Sequence, residues 1–100
     1  MTAESVPAEL LEIRDKIDQI DRELVQLLAR RFALTHRVGM LKASRALDAV
    51  DAGREARKLD ALRVLCAEKK LNPELVTELF TKIMAEAVHN HNQIRAQHGS

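Results

Sequence analysis

The residues most able to do chemistry in this chain are cations set into, or beside, its apolar stripes. In the stretch LVQLLARRFALTHRV (24–38), apolar residues recur at the spacing of a buried helix seam, and Arg31 stands where the next one belongs. A guanidinium does not shed its proton, and burying it unpaired costs several kcal/mol. Arg31 therefore needs an anion, either an Asp or Glu across an interface or a bound ligand. Arg14 follows the seam residue Ile13, and Lys42 follows Leu41 in the same way. Lone charges beside a seam are usually solvated, so Arg14 and Lys42 do not by themselves require a ligand. His91 is the second anomaly, falling on an otherwise apolar stripe. It is read either as a hydrogen-bonded core histidine or as a functional donor.

The triplet HNH at 89–91 supports neither a metal site nor a nuclease, because His89 and His91 point away from each other on a helix. No Ser-His-Asp arrangement, glycine-rich phosphate loop or CxxC pair is present. An enzyme built from these residues works without a nucleophile, metal or nucleotide, so the expected cofactor set is none.

The elements that must position these groups are helical. Ile13, Ile17, Ile20, Leu24, Leu27, Leu34, Val38 and Leu41 form a heptad seam interrupted only at position 31. The spacing predicts one long helix over about 8–43, opened by Ser5 or Pro7. Gly39 costs about 1 kcal/mol relative to Ala, too little to end a helix held by packing. Such a helix is about 54 Å long, whereas a compact domain of this size has a radius of gyration of about 13 Å. A second copy of the chain is the simplest cover for the surplus seam, which predicts an obligate, symmetric helical homodimer. Arg14 and Arg31 lie about 25 Å apart along one helix, so they can meet only between copies, in an antiparallel or intertwined dimer.

A loop over 44–51 precedes a second helix at about 52–69, with Asp51 as N-cap and Ala56, Leu59, Leu62 and Cys66 as its stripe. Asn72 and Pro73 open a third helix, about 73–96. Its stripe is Val76, Phe80, Ile83, Ala87 and Ile94, broadened by Leu79, Met84 and Val88. A flexible tail is expected beyond it. No alternating strand pattern or hairpin signal appears, so the fold class is all-α, with one long and two shorter helices in a single domain over 1–100.

Composition excludes several functions. The 100 residues are 46% hydrophobic and 31% charged, a globular balance, with a net charge of +1. Interspersed charge and two aromatic residues, Phe32 and Phe80, argue against a nucleic-acid binder. The single cysteine, Cys66, forms no internal disulfide and fits a small core position in a reducing compartment. Neither a signal-peptide core nor a membrane-spanning stretch is present, and a cytoplasmic location is expected.

The pattern of these residues resembles the all-helical class of chorismate mutase over about 10–95. The resemblance rests on Arg14, the IDxID turn at 17–21, LLxxR ending at Arg31 and VGxLK ending at Lys42. It continues through DAGRE, with Asp51, Arg54 and Glu55, and through LNPELVTELFTKIMAEAV. It implies a cofactor-free isomerase that rearranges chorismate to prephenate in aromatic amino acid biosynthesis, as a homodimer with shared active sites. A partner enzyme of the same pathway is a further expectation.

The resemblance also implies residue roles. Arg14 of the second copy and Arg31 bind substrate carboxylates. Arg54 supports the carboxylate side, and Lys42 reaches a carboxylate and the ether oxygen. Glu55 accepts a hydrogen bond from the ring hydroxyl, with Asp51 nearby. At the ether-oxygen position, where the best-known members carry glutamine or glutamate, this chain has His91. Ala87 replaces a serine that touches a carboxylate in some members. Two rivals remain: isochorismate-pyruvate lyase on the same fold, against which the Arg54–Glu55 pair weighs, and a non-catalytic helical dimerisation or regulatory module.

Overall fold

The computed structural model describes residues 6–98 and contains three helices: α1 (Ala8–Ser44), α2 (Ala52–Lys69) and α3 (Pro73–His98). The expected bounds of 8–43, 52–69 and 73–96 differ from these only at the C-terminal ends of α1 and α3. Among the described residues there is no strand. Ser5, one of the two expected openers of α1, lies outside the described residues, as do the last two residues of the expected tail. Pro7 opens α1 through its carbonyl, which accepts from the Leu10 and Leu11 amides at 3.1 and 3.2 Å.

The remaining ends are set locally. Asp51 caps α2, its side chain accepting from the Arg54 amide at 3.0 Å. Asn72 caps α3 by accepting from the Glu74 amide at 3.0 Å. Both α1 and α2 stop with a left-handed residue, Ala46 (φ 54°) and Lys70 (φ 57°). The next amide then returns to the preceding turn, Leu47 to the Lys42 carbonyl at 2.8 Å and Leu71 to that of Cys66 at 2.9 Å. These are Schellman closures made without glycine.

Contacts divide the chain into two compact units, with the boundary between Ala33 and Leu34. The first holds the N-terminal length of α1. Its seam residues Ile13, Ile17, Ile20, Leu24 and Leu27 are 49–55% exposed. The second holds the core, Cys66, Ile83, Ala87 and Ile94, together with buried His91. Val76 and Phe80 of the predicted α3 stripe are half-buried. Leu79 is not part of that core: it is 51% exposed in the single chain. Ala56 of the α2 stripe is likewise exposed. Among the described residues, no helix is long and apolar enough to cross a membrane.

Candidate active site

The first unit contributes Arg14 and Arg31 from α1. Arg14 is exposed, whereas Arg31 is half-buried and its Nη1 atom is buried. Helix geometry separates the two by about 25 Å on one chain, and the fold does not bring them together within it.

The second unit carries Lys42, Asp51, Arg54, Glu55, Ala87 and His91. Lys42 closes the last turn of α1, and its Nζ donates to the Ala49 carbonyl at 3.4 Å. That contact ties the cation to the chain two residues before Asp51. Asp51, Arg54 and Glu55 form the N-terminal turn of α2, where Glu55 is half-buried and the other two are exposed. The Asp51 carboxylate is engaged by the Arg54 amide, so its observed work is that of a cap. A first-turn carboxylate such as Glu55 is also favoured by the helix dipole. Ala87 and His91 are one turn apart on α3 and are both buried, at 7% and 8% exposure.

His91 is held in a defined way. Its Nε2 lies 2.9 Å from the Thr35 carbonyl of α1. A carbonyl only accepts, so Nε2 carries the hydrogen and donates. Nδ1 is buried and has no hydrogen-bond partner among the described residues. The histidine is therefore both of the things its sequence position allows: packed and hydrogen-bonded at one nitrogen, open at the other.

Three residues escaped the sequence reading. Thr35 supplies the carbonyl. Gly39 is the one buried residue of α1 and lies against the His91 ring. Arg95 donates from Nη2 to the Leu47 carbonyl and anchors the segment between α1 and α2. A glycine in mid-helix that does not break the helix was the available signal for Gly39, since it marks a close approach. Nothing in sequence marks a backbone carbonyl or Arg95. Among the described residues, no group of three or more His, Cys, Asp and Glu is disposed to hold a metal ion.

Comparison with known proteins gives this arrangement a context. The family model described as chorismate mutase type II matches residues 13–92. The T-protein of Haemophilus influenzae is 33% identical over 84 residues, 84% of this chain and 22% of that protein. The chorismate mutase of Methanocaldococcus jannaschii is 34% identical over 71 residues, covering 71% of this chain and 72% of the other. The bifunctional chorismate mutase/prephenate dehydratase of Escherichia coli K12 is 33% identical over 89 residues, 89% of this chain and 23% of that protein. The chain thus spans less than a quarter of the longer relatives. The match covers most of its own length and contains every candidate residue from Arg14 to His91. The chain belongs to the chorismate mutase type II family.

Proposed function

We propose that this protein is a chorismate mutase that rearranges chorismate to prephenate without a cofactor. The observation that carries this reading is the family match through residues 13–92, which includes all eight candidate positions. The reaction is a pericyclic shift and needs no nucleophile and no proton transfer. It needs a flexible dicarboxylate held in its folded conformer and a donor for the charge that grows on the ether oxygen. Arg14, Arg31 and Arg54 supply the grip on carboxylates, and Lys42 is directed to a carboxylate and the ether oxygen. Glu55 receives the ring hydroxyl, and Asp51 fixes the turn that carries it. Ala87 offers no hydroxyl, so this side of the substrate is gripped by cations alone.

The working unit we infer is an intertwined homodimer in which Arg14 of one copy joins Arg31 of the other. The half-exposed seam supports it: Ile13, Ile17, Ile20, Leu24 and Leu27 keep about half their surface in water. Covering that remainder is worth about 1 kcal/mol per residue, on the order of 10 kcal/mol for two copies. The printed name of the Escherichia coli relative couples chorismate mutase to prephenate dehydratase, which supports a partner enzyme that consumes prephenate. A cytoplasmic setting fits this reading.

His91 stands where a donor to the ether oxygen is required. With Nε2 engaged by Thr35, the free nitrogen donates only when the ring is the imidazolium. The reaction itself is tested by incubating the protein separately with chorismate and isochorismate. Prephenate from the first is the expected product. Salicylate and pyruvate from the second establish the lyase instead, and no product from either establishes a non-catalytic helical module.

A further inference from the structure

We propose that Gly39 and the Thr35 carbonyl form a cradle that fixes the His91 ring with Nε2–H on the main chain, leaving Nδ1 as the atom that addresses the ligand. Gly39 is then a positioning residue, acting on the reaction only through His91. The functional half of this inference rests on the mutase reading, and the geometric half does not.

Three observations in the second unit converge. The first is the approach at Gly39. A Cβ built there would stand 2.6 Å from His91 Cδ2, 3.3 Å from His91 Cγ and 2.9 Å from Ile94 Cδ1. Contacts below 3.0 Å are not tolerated by real Cβ atoms, so a larger residue must displace the ring, the isoleucine or the helix. The backbone at Gly39 is ordinary helix, since no glycine among the described residues has positive φ. Its role is therefore proximity rather than conformational freedom. The second is the Thr35 carbonyl. It lies one turn before Gly39 on the same face of α1 and accepts from Nε2 at 2.9 Å across 56 residues of sequence. The third is Nδ1, buried and without a hydrogen-bond partner among the described residues, in a residue only 8% exposed.

Covalent geometry links the three. In imidazole, Cδ2 sits between Cγ and Nε2, and Nδ1 lies across the ring from it. With Cδ2 pressed on Gly39 and Nε2 on Thr35, Nδ1 is turned away from the α1 backbone. Lys42 shares the face of α1 that holds Thr35 and Gly39, at i, i+4 and i+7. The cradle and the lysine are thus built on one helical stripe. A buried polar atom left unmatched costs about 1–3 kcal/mol. A ligand donor removes that cost at the neutral ring, and a ligand acceptor such as the ether oxygen does so only at the imidazolium, where Nδ1 donates.

Two measurements test this. The first is the tautomer of His91, read by long-range 1H–15N NMR on protein with labelled imidazoles, at a pH where all four histidines are neutral. His91→Gln identifies the signal. The proton is expected on Nε2 in the wild type and is expected to redistribute in Gly39→Ala. A wild-type proton on Nδ1 overturns the proposal. The second is a double-mutant cycle on prephenate formation. Gly39→Ala is expected to lower kcat about 10- to 100-fold by displacing the ring, with a smaller change in KM. In the His91→Gln background, where a flexible amide replaces the ring, the same change is expected to cost less than about two-fold. An equal loss in both backgrounds overturns the positioning role. Where Gly39→Ala does not fold, Gly39→Ala with Ile94→Ala, which removes the 2.9 Å contact, takes its place in the cycle against Ile94→Ala alone. If the wild type turns over no chorismate, the mutase reading falls and the tautomer alone decides the cradle.

Discussion

The two units of this chain treat isoleucine in opposite ways. In the N-terminal length of α1, Ile17, Ile20, Leu24 and Leu27 remain 51–55% exposed. In the second unit, Ile83 and Ile94 are 9% and 8% exposed, and even a histidine is buried at 8%. The contrast separates stability from assembly. The second unit has a core of its own within one chain. The first has a well-patterned seam left about half exposed, which the proposed second copy would cover. The candidate site groups divide in the same way: Arg14 and Arg31 belong to the unfinished unit, Lys42, Arg54 and His91 to the finished one.

Breaking the seam should have the largest effect. Leu24→Glu places a charge at the centre of the exposed stripe. It is expected to abolish the dimer in sedimentation velocity and to lower turnover at least about 1000-fold, since half of each proposed site is then lost. A dimeric, active Leu24→Glu protein removes the seam from the assembly. Next is Arg31→Ala, which should leave helix content and dimer intact while kcat/KM falls about 100- to 1000-fold through loss of a carboxylate grip. A regulatory module predicts the reverse, unchanged or higher stability with no turnover to lose.

Ile83→Ala sharpens the other side of the contrast. It empties a core position in the second unit and should lower unfolding stability by about 2–4 kcal/mol in urea titrations, with the Kd of the dimer little changed. A dimer weakened as much as the fold would mean that the two units do not separate in energy. The smallest effect is expected at Asp51→Ala, which removes the accepted hydrogen bond from the Arg54 amide. It should cost about 1 kcal/mol of stability, seen as a shift of a few degrees in Tm, together with a modest loss of turnover from a loosened Glu55.

Most of the helical scaffold was legible because its causes are local. Period, the Asp51 and Asn72 caps and the proline at the start of α3 act over a few residues, and so they can be read in sequence. The surplus of the α1 seam was legible too, because a heptad stripe longer than its own chain can cover is a property of counting. Leu79 extends the α3 stripe in sequence and is 51% exposed in the single chain, as the α1 seam residues are, so periodicity gives a face and not what covers it. Arg31 and His91 stood out as polar residues on apolar stripes. Their types alone left open whether a ligand or the protein completes them.

The sequence by itself determined that this is an all-α chain with one long and two shorter helices, and it placed the cations and the histidine on them. Only the tertiary structure decided which nitrogen of His91 is occupied, because the partner is a backbone carbonyl 56 residues away and every residue has one. It alone gave Gly39 a purpose, since the absence of a side chain has meaning only once a neighbouring ring is seen to fill the space. Long-range packing assigns these roles because it acts on atoms that residue type does not distinguish.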